Sequence, residues 1–197
     1  MGTLETVATI IGGISTIMGV IFGRKHYRNK SKGHKAEAEF VQSLERLRDA
    51  LTLLRRMVKS VGADRAILFA GHNGGGLPSP NTAFYCSMLH AYYSEKKQLD
   101  VADDYVGIQV DGPYIQMLID AMQSDYVDIK TQNMPEGQLK NYYLTEGVTH
   151  SIVITLGIHN NRLIYLSAAK QGGEFSHEQK TRILLKSNRL KQIISRF

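Results

Sequence analysis

The chain holds one cysteine, Cys86, in 197 residues, which excludes a disulfide scaffold and fits a reducing compartment. It has no Gly-Lys-Ser/Thr ending after any glycine-rich loop and no dinucleotide fingerprint, so neither nucleotide motif is present. Its seven histidines, at 26, 34, 72, 90, 150, 159 and 177, show no metal-ligand spacing backed by carboxylates, and no metal or cofactor is assigned. No Ser-His-Asp arrangement follows from spacing. Hydrophobic residues at 43% and charged residues at 21% are ordinary for a globular protein and exclude extended disorder. Acid is missing from residues 24–35 (RKHYRNKSKGHK), which hold six Lys/Arg; elsewhere 18 basic residues meet 18 acidic ones. That balance reads as a neutral domain carrying one basic knot, and it speaks against nucleic acid as a partner.

Charge is also missing from Thr6 to Gly23 (TVATIIGGISTIMGVIFG). As a helix this stretch would reach roughly 27 Å, the span of a bilayer core. The sequence predicts a transmembrane helix over 4–23 and a basic juxtamembrane segment over 24–35. The positive-inside rule then puts the remainder in the cytoplasm, as a single-pass membrane protein with the lipid bilayer as partner. Ser15, Gly19 and Gly23, and Ala8, Gly12 and Thr16, stand four apart, a small-residue spacing that favours helix pairing.

A connecting amphipathic helix is expected over 36–62. Phe40, Leu44, Leu47, Leu51, Leu54, Val58 and Val61 repeat at 4, 3, 4, 3, 4, 3, the seam of a coiled coil and a second cue for a homodimer. The alternative is a helix packed on its own domain.

Residues 63–197 alternate strand and helix. RAILFA (65–70) reads as a buried strand before the loop GHNGGGLPSPNT, and AFYCSMLHAYY (83–93) as a second. Pro113 opens a helix over YIQMLIDAMQ, and YVDIK (126–130) alternates like a half-exposed strand. Residues 151–158 and 162–170 flank Asn160-Asn161, a two-residue hairpin turn. Ser176 and Gln179 form a capping box at the last helix. The order predicts an α+β domain with an antiparallel sheet and helices gathered chiefly on one face.

The stretch from Glu146 to Ser195 (EGVTHSIVITLGIHNNRLIYLSAAKQGGEFSHEQKTRILLKSNRLKQIIS) resembles the closing half of a GAF domain. Gly147-Val148 before a strand, the Asn160-Asn161 turn, and Phe175-Ser176 opening the last helix carry the likeness. A long helix followed by RAILF fits the opening half, and His72-Asn73-Gly74 is similar to a loop in small membrane-anchored GAF-like proteins of phages and bacteria. The resemblance implies a GAF-like antiparallel sheet with flanking helices, and a non-catalytic sensory or interaction module that binds a small molecule or a partner protein. The alternative is a structural or lysis-related, holin-like phage membrane protein that uses the fold as a scaffold. An enzyme acting on a nucleotide at GHNGGG is a further rival.

Cys86, within an aromatic strand, reads as packing, and Asp100, Asp103 and Asp104 as a solvated loop. The ten tyrosines stand out, because a flat ring with a polar tip suits a pocket for a planar ligand. The candidate ligand-binding residues are therefore His72, Asn73, Tyr85, Tyr114 and Tyr142, around a cavity between the sheet and residues 105–145.

Overall fold

The computed structural model describes residues 33–74, 78–79, 81–94 and 105–195, with side chains from residue 37 onward. Residues 44–197 belong to one compact unit. Helix α1 spans Gly33–Val61 and ends at Gly62, whose positive φ of 71° turns the chain into strand β1, Arg65–His72. There follow β2 (Tyr85–Tyr93), β3 (Ile108–Gln109), α2 (Gly112–Gln123), β4 (Val127–Lys130), a 3-10 turn (Thr131–Asn133) and α3 (Gln138–Thr145). Strands β5 (His150–His159) and β6 (Arg162–Lys170) and helix α4 (His177–Ile194) complete the chain.

All strand pairs are antiparallel, in the order β3-β2-β1-β6-β5-β4. Asn160 and Asn161 turn the β5–β6 hairpin with φ of 50° and 60°, the left-handed conformation that asparagine tolerates best among residues with a side chain. The box at Ser176 forms as well: its hydroxyl accepts from Gln179 N–H while Gln179 Oε1 accepts from Ser176 N–H.

Successive residues of a strand point to opposite faces, and here both faces are apolar. Ala66, Leu68 and Ala70 join Ile152, Ile154, Leu166 and Ala168 on one side, under Leu54, Met57 and Val58 of α1 and Ile183 and Leu190 of α4. Ile67 and Phe69 join Val153 and Tyr165 on the other, under Tyr114, Met117, Leu118 and Ala121 of α2 and Leu139 and Tyr143 of α3. The helices thus divide two to each face instead of gathering on one, because a sheet apolar on both sides needs cover on both.

Two further expectations are corrected. The heptad seam splits: Leu54, Val58 and Val61 are buried on the chain's own sheet together with Ala50, Leu53 and Met57, while Leu44 and Leu51 are exposed. Regular spacing records that a stripe is buried, and the sheet supplies the burial that a partner helix was expected to give. The coiled coil therefore has no support. The single-pass membrane placement with a cytoplasmic domain is also overturned, since no helix among the described residues is long and apolar enough to cross a membrane. The two longest, α1 and α4, carry Glu45, Arg55, Arg56, Arg182 and Arg189 on exposed positions, which hydrocarbon does not accommodate. The stretch over 4–23, expected as a transmembrane helix, lies outside the described residues.

Candidate functional site

The sheet face under α2 and α3 is where a ligand cavity was expected, and tyrosines occupy it. Tyr114 and Tyr165 are buried, and their hydroxyls are 2.7 Å apart. Burial holds both phenols well above their ordinary pKa, so each remains a neutral hydrogen-bonding group. Phe69 stacks on Tyr165 at 5.1 Å between centroids and takes the edge of Tyr105 at 5.3 Å. The Tyr143 hydroxyl donates to Ser151 Oγ at 3.0 Å, and Ser151 Oγ lies 3.0 Å from Ser167 Oγ. The space enclosed by Arg65, Phe69, Tyr105, Tyr114, Tyr143 and Tyr165 amounts to about 10 Å³, room for one water at most.

At one end of this layer a charged pair is buried. Arg65, the first residue of β1, is 2% exposed; it pairs with Glu146, the C-cap of α3, and donates to the Tyr105 hydroxyl at 3.2 Å. Its guanidinium also lies 5.6 Å and 5.8 Å from the ring centroids of Tyr105 and Tyr143. Arg65 Nε and Glu146 Oε1 find no hydrogen-bond partner among the described residues. The pair ties the helical cover to the sheet but leaves no open donor set that a ligand could reach.

A ligand-sized space lies further out on this face, in a cleft of about 620 Å³ between α2, strand β4 and the segment from Asn133 to α3. Met117, Val127, Ile129, Met134 and Leu139 make its wall apolar, and Gln116, Asp120, Asn133 and Lys130 supply polar groups. Its mouth is set by one carboxylate. Asp111 Oδ1 accepts from Tyr114 N–H at 3.0 Å and caps α2, while Oδ2 accepts from Gln138 N–H at 2.7 Å and caps α3. Gly137 permits this approach, because a Cβ there would stand 2.6 Å from Asp111 Oδ2. The floor is anchored by β4, whose Asp128 accepts from Lys180 and from His150. Burial opposes the Asp128 charge, but its hydrogen bonds and its charge interactions with Lys180 and His150 together outweigh it and hold the carboxyl below its ordinary pKa. Phe175 N–H donates to His150 Nδ1 at 2.7 Å, which leaves Nε2 as the donor to Asp128.

The five sequence candidates fall into different surroundings. His72 and Tyr85, facing residues of β1 and β2, stack at 6.2 Å, and His72 Nε2 lies 3.1 Å from Ser87 Oγ. Burial, with Arg162 nearby, lowers the His72 pKa. Asn73 Nδ2 donates to Thr82 Oγ1 at 3.4 Å beside that pair. Tyr114 is core, and its outer side borders the cleft. Tyr142, on α3, rests on Tyr105 with centroids 5.5 Å apart and does not line the cleft. The cleft residues Asp111, Met117, Ile129 and Met134 were missed; the proline-opened helix and YVDIK marked two of its walls, but no residue type among them signals binding by itself. Cys86 is fully buried, and burial pushes its thiol up to about 11, which suits packing and not nucleophilic attack.

No protein-family model and no curated protein matches the sequence. Solved structures do resemble the fold. The GAF domain region of a Geobacter sulfurreducens protein superposes with a TM-score of 0.54 at 13% identity, covering 81% of this chain and 99% of that one. The third GAF domain of a Synechocystis protein, in its photoproduct state, gives 0.54 at 9% identity over 77% of this chain and 98% of that one. A GAF domain/HD domain protein, also from Geobacter sulfurreducens, gives 0.52 at 10% identity, covering 77% and 91%. At such identities the likeness speaks for architecture alone, and the architecture is GAF-like.

Proposed function

We propose that this protein is a non-catalytic sensory module that binds a small, mainly apolar molecule in the cleft between α2, β4 and α3. The observation that carries the reading is the contrast between two spaces on one sheet face. The interior is filled by Tyr105, Tyr114, Tyr143 and Tyr165, whereas the outer cleft offers about 620 Å³ with an apolar wall and a few polar groups. That volume and that mixture are typical of small-molecule sites. The GAF-like architecture supports sensing over catalysis.

The cleft is also built to report occupancy. Asp111 joins the N-termini of α2 and α3, and β4 connects through Asp128 to His150 of β5 and to Lys180 of α4 on the opposite layer. A ligand that presses α2 and α3 apart acts on the double cap directly.

The test is a fragment library screened against the isotopically labelled full chain by amide and methyl NMR. Hits are expected to shift Met117, Ile129 and Met134 together, and Met117→Trp, which fills the cleft, should abolish those shifts while leaving the remaining spectrum in place. Hits that gather around His72 and Tyr85 instead, or shifts that survive Met117→Trp, would refute the cleft.

A further inference from the structure

The 18 basic and 18 acidic residues outside the basic knot balance in number but not in place. Helices α1 and α4 lie side by side over one sheet face and run antiparallel. Gln179 Nε2 donates to Val61 O at 2.6 Å and Arg182 to Ser60 O at 3.4 Å at one end, while Asp49 and Thr52 share a hollow with Gln192 and Ile193 at the other. Between the helices run two adjoining hollows of about 400 and 430 Å³ that share Leu53, Arg56 and Arg189. From Asp49 to Ser60 the groove is roughly 16 Å long at 1.5 Å per residue, about three helical turns.

Its edges are cationic. Arg56, Lys186 and Arg189 on the groove, and Arg55 in a hollow that adjoins it at Arg56 and Lys186, form no ion pair among the described residues, and Arg182 at one end pairs with Glu178. Asp49, at the far end, is taken by Arg48. The floor is apolar: Leu53 lies at its base, Leu185 stands 63% exposed beside it, and Ile193 is half-buried.

We infer that the groove between α1 and α4 is a docking surface for an acidic amphipathic helix of a partner protein, with apolar residues on Leu53 and Leu185 and acidic residues against Arg55, Arg56, Lys186 and Arg189. Charge complementarity selects an acidic partner. The apolar floor selects protein over a nucleic-acid backbone, which would leave Leu185 with nothing to cover it. A groove three turns long, walled by two helices, matches a third helix laid along it. A second copy of the same face would set one cationic groove opposite another, and self-association of the full chain that is lost in R56E/R189E would overturn the assignment. The surface lies on the opposite side of the sheet from the ligand cleft, so the two assignments stand or fall separately.

The test uses the full chain and three fluorescent probes at about 0.15 M salt: an amphipathic peptide with a leucine face flanked by glutamate, its lysine-flanked twin, and a short DNA duplex. The glutamate peptide is expected to bind, with the lysine twin about tenfold weaker or worse, and Leu185→Ser should weaken it too. R56E/R189E should reverse the preference between the peptides while the thermal midpoint is retained. Should that variant fail to fold, R55Q/R189Q, which removes charge without inverting it, is expected to weaken the glutamate peptide. No binding of the glutamate peptide, binding indifferent to these substitutions, or tighter binding of the duplex would each overturn the assignment.

Discussion

Arg65 and Glu146 show how much one buried pair can depend on completeness. Taking both charges out of water is costly, and their attraction offsets that cost only while both are present. Glu146→Gln leaves the guanidinium uncompensated beneath Tyr105, and we expect a loss of about 3–5 kcal/mol in denaturant-derived stability. Because each partner keeps one unpaired polar atom, the double variant Arg65→Met, Glu146→Leu should recover most of that loss. A double variant no more stable than Glu146→Gln would show that the pair's worth lies in its charges. Cys86 gives a simpler expectation. With its thiol at about 11 and no exposure, it should resist iodoacetamide in the native protein near neutral pH and react once denatured. Asp128 sets a pH dependence. Its folded pKa lies below the ordinary 3.8, so its contribution is fully present above that value and is lost as pH falls through the lower, folded value. Asp128→Asn should flatten the acid limb of a pH–stability profile, and an unchanged limb would assign it to other groups.

Among the elements, those with local cues are the ones the sequence made legible. The β5–β6 hairpin, the Pro113 helix and the Ser176 box each rest on residues that determine the local backbone, and each appears where expected. Ser176→Ala should cost about 1 kcal/mol, measured by thermal or chemical denaturation. Helix α3 escaped because its start carries no local signal. Gly137 caps it without a side chain, and the capping oxygen comes from Asp111, distant in sequence. Asp111→Ala removes both caps at once and should destabilise by about 1–2 kcal/mol, with the largest amide shifts at the first turns of α2 and α3. Gly137→Ala should reproduce the loss at α3 through steric displacement of the same carboxylate. The seam of α1 misled for a related reason: a 4-3 spacing is equally satisfied by a partner helix and by a sheet. The tyrosines were legible as a group but not in their role, since composition cannot say whether a ring lines a cavity or fills it.

For the whole molecule, the arrangement of layers matters more than any one contact. Strands β1, β5 and β6 contribute to the packing on both faces, so loss of one helical layer strips apolar surface from strands that the other layer needs. Residues 44–197 should therefore unfold in a single transition by far-UV and near-UV circular dichroism, and a chain ending at Gly173 should give a collapsed, poorly dispersed NMR spectrum. Non-coincident transitions would mean that the two faces melt independently. Charge was the least legible property at this scale, because a count sums over the surface while α1 and α4 segregate it.

The sheet ends on a short strand at either side. β3 has two residues and β4 four, and neither pairs with a further strand among the described residues. Long, flat margins recruit stray chains into fibrils, and strands this brief cannot cover the neighbours they pair with. β3 covers only Tyr85 and Cys86 of β2, and β4 only His150 to Val153 of β5, so among the described residues the margin is completed by the longer strands β2 from Ser87 and β5 from Ile154. Concentrated samples should accordingly form thioflavin-positive material sooner than a variant with a lysine placed on that margin, and equal lag times would acquit it.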